Sequence, residues 1–259
     1  MGEIVAAIII AIINSVAGPG AMERAVERGV RARLGKVKRV AANVERGHRS
    51  PLSRTIMLVE IDVEGFNAEK LAAQPLKVGG APKPYGKIAR VVIRAKDFRA
   101  GGIEFEQMKL TMHAIRYSLP KALLRREFRL ARMGEGAVSV SLTEKSLDRF
   151  VKSKITDLQN PSLKLQGGRV VVQGRATRLS VPIEFDAFLE AKDGRIELTE
   201  PRLRVSILPM PGFSARRIAS QANPVLDLNQ QAEAPFRFRI TGVAVASGRL
   251  AVQAAMTPK

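Results

Sequence analysis

The sequence predicts an α+β fold in which antiparallel strands predominate, and three observations support this class. Two segments, residues 20–34 and 141–158, show the apolar spacing of amphipathic helices. Most of the remaining chain alternates apolar and polar residues in short runs that are separated by glycine-containing turns. With 259 residues, 46% hydrophobic and 26% charged, the chain has the composition of a folded protein with one large core or two smaller ones.

Each of the two predicted helices has one apolar face. In residues 20–34 this face carries Met22, Ala25, Val26, Gly29, Val30 and Leu34. In residues 141–158 it carries Leu147, Phe150, Val151, Ile155 and Leu158. The spacing of Ser141 and Glu144 predicts a capping box at the start of the second helix. Shorter helices are expected at 121–128 and from Ser214 onward.

The predicted strands begin with an extended region at 37–63 and continue at 87–96 and 103–117, on either side of Gly101–Gly102. A Pro/Gly loop occupies 74–86. Three hairpins follow, and we expect them to turn at Gly167–Gly168, Asp193–Gly194 and Ser247–Gly248. The strands before and after these turns alternate regularly, which indicates one apolar and one polar face.

The stretch 101–112, "GGIEFEQMKLTM", changes phase within one strand. Ile103 and Phe105 are apolar at odd positions, whereas Met108, Leu110 and Met112 are apolar at even positions. Because side chains alternate between faces, either the strand is buried on both faces or an extra residue near Gln107 forms a bulge that restores one apolar face.

Two segments resemble each other within the chain. "RVVIRAKDFRAGGIEF" (90–105) and "RVVVQGRATRLSVPIEF" (169–185) match at both ends with one gap, and each follows a predicted helix. This similarity suggests an internal repeat with halves at 20–130 and 137–256. Chance similarity between alternating strands is the alternative.

The charge balance is the strongest compositional feature. The chain has 43 Lys and Arg against 24 Asp and Glu, a net charge of +19. Part of the excess lies between Glu23 and Arg54, where ten basic residues accompany three acids. Such a balance indicates an anionic partner, either nucleic acid or a membrane surface.

Residues 1–17 form an apolar segment, "MGEIVAAIIIAIINSVA", which is predicted to be a signal or anchor. As a helix, its apolar part reaches about 21 Å, which is shorter than the hydrocarbon core of about 30 Å. A signal peptide normally begins with basic residues, but here the positive charges follow the apolar run. The side of the membrane is therefore left open, and a buried N-terminal helix is the alternative.

Catalytic and metal-binding motifs are missing from the sequence. There is no cysteine, and His48 and His113 are the only two histidines. No P-loop, dinucleotide fingerprint or nucleophile elbow occurs. Carboxylates such as Glu104, Glu184 and Asp186 alternate with apolar residues, as expected of a solvated face. We therefore expect no enzyme, no cofactor and no metal.

Nucleic-acid binding is the main alternative explanation of the positive charge. Recognition of single strands needs exposed aromatic residues, but here phenylalanines occupy apolar alternation positions. No helix-turn-helix, zinc-finger or RNA-recognition signature is present. Only non-specific contact with phosphates is left as a hypothesis.

Several segments together resemble the LmeA-like phospholipid-binding family of bacterial envelope proteins. They are "AMERAVERGVRARLG", "GKIARVVIRAKDFRAGGIEFEQMKLTMHAIRYSL", "GEGAVSVSLTEKSLDRFV", "LKLQGGRVVVQGRATRLSVPIEFDAFLEAKDGRIEL" and the terminal hairpin. The resemblance covers most of residues 20–256. It implies a tubular lipid-binding (TULIP-like) fold, with a strongly curved antiparallel sheet wrapped around long amphipathic helices, and an apolar groove for acyl chains.

The resemblance also indicates which residues would contact lipid. The predicted groove lining is Ile103, Phe105, Met108, Leu110, Met112, Ile183, Phe185, Leu189, Leu203, Val205, Ile207, Phe236 and Phe238. The predicted membrane contacts are Met210, Phe213, Arg216 and Arg217 in the proline-bounded segment 208–221, together with Arg24, Arg28 and Arg31. The alternative for the segment is that Met210 and Phe213 fold back over the end of the sheet.

The sequence thus predicts a membrane-associated, non-enzymatic phospholipid-binding protein comprising an anchor (1–17) and a lipid-binding domain (18–259). Lipid transfer between membranes is one expected role, and an extracytoplasmic location in the cell envelope is expected. The expected partners are phospholipid and an anionic membrane surface. A structural or adaptor protein of the envelope with a filled core is the second hypothesis, and a non-specific nucleic-acid binder is the third.

Overall fold

The computed structural model describes residues 22–46, 55–70, 85–118, 130–177, 181–206, 208–209, 212–229, 236–246 and 248–258. Three α-helices lie in this part of the chain: α1 (Met22–Leu34), α2 (Glu144–Lys154) and α3 (Gly212–Ala222). A single 3₁₀ turn covers Ala68–Lys70. The predicted helix at 121–128 and the segment 1–17 lie outside the described residues.

Fourteen strands are found among the described residues. They are β1 (Val37–Arg46), β2 (Thr55–Asn67), β3 (Tyr85–Ala100), β4 (Ile103–Ser118), β5 (Leu130–Arg132), β6 (Gly136–Thr143), β7 (Leu158–Gln166), β8 (Arg169–Ala176), β9 (Pro182–Lys192), β10 (Arg195–Val205), β11 (Leu208–Pro209), β12 (Leu226–Asp227), β13 (Phe236–Ala246) and β14 (Arg249–Pro258).

The strands form two sheets. The large sheet has the order β1-β2-β3-β4-β6-β14-β13, with β5 paired to β4. The small sheet has the order β11-β10-β9-β8-β7, with β12 paired to β10. The α+β class is therefore confirmed, with most of the described structure in curved sheets.

Two details of the predicted fold differ from the structure. Strands β2 and β3 pair in parallel, whereas an antiparallel sheet was expected. This pairing is available because a long connection separates Asn67 from Tyr85, and parallel neighbours need a crossover of about a dozen residues or more. The described helices have 13, 11 and 11 residues, so the expected long helices are not found among them.

Helix α2 begins later than the capping-box prediction placed it. Thr143 is the N-cap, and its hydroxyl accepts a hydrogen bond from the Ser146 backbone N–H. Ser141 lies in β6, where its hydroxyl donates to Glu106. The predicted box of Ser141 and Glu144 is therefore wrong, because the strand continues to Thr143 before the helix starts.

The predicted turns are confirmed where they are described. Gly101 and Gly102 join β3 to β4, and Gly167 and Gly168 join β7 to β8, all with positive φ. Asp193 has φ 53° between β9 and β10. Of the turn between β13 and β14, Gly248 is described, with φ 72°.

The phase change in β4 is part of a crease that crosses four strands. Inward-facing positions normally lie two residues apart, but Phe105 and Met108 in β4 lie three apart. The same spacing separates Ala95 from Phe98 in β3. It also separates Val63 from Phe66 in β2 and Val37 from Val40 in β1. The pairing registers place these skips side by side.

The crease corrects the prediction of a bulge in β4 alone. At this point β3 and β4 each turn two consecutive residues outward, Lys96–Asp97 and Glu106–Gln107, so the register between them does not shift. Asp97 has a strained backbone conformation at this point, with φ 49°. The expectation of a single apolar face is confirmed, since Ile103, Phe105, Met108, Leu110 and Met112 are all buried.

One continuous core joins the two sheets. Helix α2 packs on β7 of the small sheet and on β4 and β6 of the large sheet. Strand β13 contacts β9 and β7, while α1 packs on β1 and α3 on β10. The inward faces of both sheets therefore belong to a single apolar interior.

Candidate lipid-binding site

The interior of the large sheet is built from rows of side chains that cross neighbouring strands. The pairing registers define three long rows. The first is Val59, Val91, Met112, Gly136, Met256 and Phe238. The second is Ile61, Ile93, Leu110, Val138, Ala254 and Ile240. The third is Val63, Ala95, Met108, Val140, Val252 and Val243. Nearly all these positions are buried and none carries a charge.

Methionines lie beside the smallest residues of these rows. Met112 and Met256 flank Gly136, and a Cβ at Gly136 would lie 2.6 Å from the Met256 Cε. Met108 is opposite Ala95. Because methionine is flexible and polarisable, it fills irregular apolar spaces of changing shape. This part of the interior can therefore adapt to a variable apolar ligand better than a core of branched side chains.

A fourth row lies beyond the crease and consists of three phenylalanines. The centroids of the Phe66 and Phe98 rings are 5.1 Å apart, and those of Phe98 and Phe105 are 4.9 Å apart, with nearly parallel planes. These rings line a cleft of about 590 Å³. That volume falls in the range of small-molecule sites, roughly 300–1,000 Å³.

The rim of the cleft is polar and charged. It includes Lys36, Asp97, Arg99, Glu104 and Glu106, with Ser146 at the start of α2. Arg149 pairs with Glu104, and Arg249 donates to Glu106 at 2.7 Å. Arg99 pairs with Glu69 at 3.1 Å. The cleft therefore combines apolar rings with charged groups, a combination that suits an amphipathic ligand.

The interior of the small sheet is more tightly filled. An apolar cavity lies between α2, α3 and this sheet, and its lining includes Leu147, Phe150, Leu189 and Leu198. Its volume of about 10 Å³ is close to the smallest space that holds one water molecule. It has no room for an acyl chain in this conformation.

The structure brings most of the predicted groove residues into one core. Those that are fully buried in it are Ile103, Phe105, Met108, Leu110, Met112, Phe185, Leu203, Phe236 and Phe238. Ile183 and Leu189 pack against the core while partly exposed, and Val205 is half-buried. Ile207 lies outside the described residues. The predicted set is divided between the large sheet (β4 and β13) and the small sheet (β9 and β10).

The predicted membrane contacts are partly described. Arg24, Arg28 and Arg31 lie on the exposed side of α1, opposite the buried Val26 and Val30. Arg216 and Arg217 are exposed on α3, and the Arg217 Nε lies 3.5 Å from a carboxylate oxygen of Asp157. Met210 and the side chain of Phe213 lie outside what the structure describes.

Phe66 and Phe98 were not among the predicted site residues, although both line the cleft. The signal was present in "EGFN" and "KDFR", where two outward residues precede a phenylalanine. The sequence pattern indicates the same break most clearly in β4, where apolar residues change from odd to even positions.

Within the described residues, no group of three or more metal-binding side chains comes together. None of the described helices combines the length and apolarity that crossing a bilayer requires.

Comparison with known proteins identifies the family. The model of the LmeA-like phospholipid-binding family matches residues 78–255, which is more than half of the chain. The match includes β3, β4 with Met108 and Met112, and the whole small sheet, while α1, β1 and β2 precede it. No curated protein and no solved structure matches the chain significantly. The chain belongs to the LmeA-like phospholipid-binding family.

Proposed function

We propose that the protein binds phospholipid without altering it chemically, holds the acyl chains in the interior of the large sheet, and delivers or presents the lipid at envelope membranes. One observation carries this proposal. The uncharged, methionine-containing rows of the large sheet continue past the crease into a phenylalanine-lined cleft that opens between charged residues.

The energetics favour acyl chains in such a site. Each methylene group removed from water contributes about 0.8 kcal/mol, so even part of one acyl chain yields several kcal/mol. Displacing the flexible Met108, Met112 and Met256 costs less than displacing branched side chains, because methionine reaches many conformers. In this proposal the head group stays at the rim, where Lys36 forms no ion pair with any described residue.

The proposed membrane contact uses exposed arginines and the segment 208–221. Arg24, Arg28 and Arg31 supply positive charge toward anionic lipid, and each such residue near the surface contributes about 1 kcal/mol. A fluorophore on Phe213→Cys tests insertion of the segment, because the chain has no other cysteine. A blue shift on adding anionic vesicles supports insertion, and an already blue-shifted signal that ignores vesicles contradicts it.

Mass spectrometry of an organic extract of the purified full chain tests lipid binding directly. We expect phospholipid in near-stoichiometric amount, and we expect its fatty-acid composition to be mixed because the methionine rows adapt. A chain purified from membranes by detergent and re-exposed to labelled phospholipid should take it up again. Absence of lipid in both experiments would remove the proposal.

A second candidate function is a structural or adaptor protein with a filled core. It is favoured by one observation: Phe105, Met108, Leu110 and Met112 are at most 3% exposed, as in an ordinary core. In that case the extract contains no phospholipid, and the cleft at the phenylalanine row has no acyl-chain ligand.

A further inference from the structure

The outer face of the large sheet has two ends that differ in how their cations are paired. At the crease end, cations lie beside acids. Lys38 pairs with Glu64, and its hydrogen bond lowers the pKa of the Glu64 carboxyl. Arg94 pairs with Glu60 at 2.7 Å and with Asp62 at 3.4 Å. Lys38 and Arg94 are therefore both neutralised by acids of the same sheet.

The opposite end of the same face carries cations that have no acidic partner among the described residues. Lys87 of β3 is directly opposite Arg116 of β4, which in turn is opposite Arg132 of β5. Arg90 follows on β3, opposite His113. All four cations are exposed, and none forms an ion pair with a described residue. We call Lys87, Arg90, Arg116 and Arg132 the cationic patch.

Such an arrangement is costly in the isolated protein. Side chains directly opposite each other on neighbouring strands have Cβ atoms about 5 Å apart, and like charges there destabilise the sheet. An external anion that binds across the three strands would offset this repulsion. Because the patch extends over neighbouring strands of one face, it suits an anionic surface rather than a single small ion.

An exposed apolar side chain lies beside the patch, on the neighbouring strand β2. Met57 of β2 is 49% exposed, one of two large hydrophobic residues so exposed among the described residues. Its neighbours in β2 pair with Ile88 and Arg90, which places Met57 at the level between Lys87 and Arg90. An apolar side chain beside cations matches the head-group boundary of an anionic bilayer, where both kinds of side chain are stabilised.

We propose that the cationic patch, with Met57, is the surface through which this protein docks on anionic phospholipid membranes. The proposal rests on the proposed phospholipid-binding function and adds a docking surface separate from α1 and the segment 208–221. Nucleic acid is a different class of anionic partner, and the test below gives it a distinct outcome.

The test compares two triple variants of the full chain that lose the same charge. The first is Lys87→Gln, Arg116→Gln and Arg132→Gln. The control is Lys109→Gln, Lys164→Gln and Lys192→Gln, at exposed positions that form no ion pair with described residues. Binding is measured on vesicles of phosphatidylglycerol with phosphatidylcholine, and on phosphatidylcholine alone, in about 0.1 M salt.

We expect the patch variant to bind anionic vesicles about 100-fold more weakly, since each cation at the surface contributes roughly fivefold. The control variant should lose less than about fivefold. Met57→Gln should reduce binding further without changing its salt dependence. Both triple variants should keep their bound phospholipid, because the patch lies on the outer face and the proposed acyl site lies inside.

Three results would overturn the docking surface. The first is equal loss in both triple variants, which makes net charge responsible. The second is wild-type binding that does not distinguish anionic from neutral vesicles. The third is a patch variant that loses binding to duplex DNA while keeping its binding to vesicles. If the wild-type extract contains phospholipid, any of these three results contradicts the docking surface alone and leaves the lipid-binding function supported. If the wild-type extract contains no phospholipid, the lipid-binding function is contradicted independently of the docking surface.

Discussion

The phenylalanine row at one end of the large sheet's interior depends on the positions of a few single residues. Phe66, Phe98 and Phe105 stack because each lies next to two consecutive outward residues on adjacent strands. In β2, the strand that carries Phe66, the preceding residue is Gly65. Its φ is 68°, and its hydrogen faces the Lys38 side chain. A Cβ there would lie 2.7 Å from the Lys38 Cβ, so the crease leaves no space for a larger residue.

The buried phenol of Tyr117 makes the stability of the protein depend on pH. Burial raises the pKa of Tyr117 to about 12 from its usual value of 10.0. Between these pH values the unfolded chain loses the phenolic proton while the folded chain keeps it, so stability falls as pH rises. The loss should reach about 2 kcal/mol at about pH 12 and be negligible below about pH 9.

Urea unfolding of wild type and Tyr117→Phe at about pH 9 and about pH 12 checks this value. Other groups also titrate in this range, so the difference between the two proteins isolates Tyr117. Wild type should lose more stability than the variant, and an equal loss in both proteins would show that the phenol is not shielded from water.

Helices α1 and α2 each accept a backbone hydrogen bond from the edge strand that follows them in the chain. Glu27 of α1 accepts a hydrogen bond from the Ala42 N–H in β1 at 3.2 Å. Asp148 of α2 accepts one from the Leu163 N–H in β7 at 2.8 Å. In both pairs 15 residues separate the acceptor from the donor. The equivalence supports an internal repeat with halves at 20–130 and 137–256, which we keep as a proposal, although β6, β13 and β14 of the second half join the large sheet.

Asp148→Ala should destabilise the protein by about 2 kcal/mol, because it removes a charged acceptor from an edge N–H. Asp148 also pairs with Lys152 at 2.6 Å, so Lys152→Ala serves as the control and should cost under about 0.5 kcal/mol. Asp148→Asn keeps one acceptor oxygen and should lie between them. Chemical unfolding measures all three, and an Asp148→Ala variant as stable as Lys152→Ala would contradict the edge-strand role.

The sequence predicts the elements that depend on local contacts, and it fails for those that depend on residues distant in the chain. Helix α1, β3, β4 and the glycine turns follow from local periodicity, and they were found where expected. The N-cap at Thr143 was missed because a local capping box competes with continued pairing of β6 to β14. The parallel β2–β3 pair and the phenylalanine stack depend on neighbours distant in sequence, which a single-strand pattern does not contain.

The whole molecule combines two sheets in one apolar interior, and the two sheets differ in how they can accept a ligand. The large sheet combines methionines with glycine and alanine and reaches a cleft of about 590 Å³. The small sheet has room for about one water molecule. We therefore expect the large sheet to hold lipid and the small sheet to act as its rigid support.

Charge substitutions in the two interiors test whether the core is filled. Met112→Glu and Phe185→Glu should both abolish lipid co-purification, since each places a carboxylate among buried apolar residues. Met112→Glu should cost less stability, because a carboxylate in a lipid-accepting site can reach water. Met57→Glu is the matched control at an exposed methionine and should keep both lipid and stability. Unfolding of both interior variants at room temperature would favour the filled core.

Photocrosslinking shows whether acyl chains lie against the rows of the large sheet. The full chain is loaded with phosphatidylglycerol that carries a diazirine at the end of one acyl chain, irradiated and digested with trypsin. We expect adducts in peptides 100–109 and 110–116, which contain Phe105, Met108, Leu110 and Met112. Adducts confined to α1 or to peptides of the small sheet, with these two peptides unmodified, would contradict it.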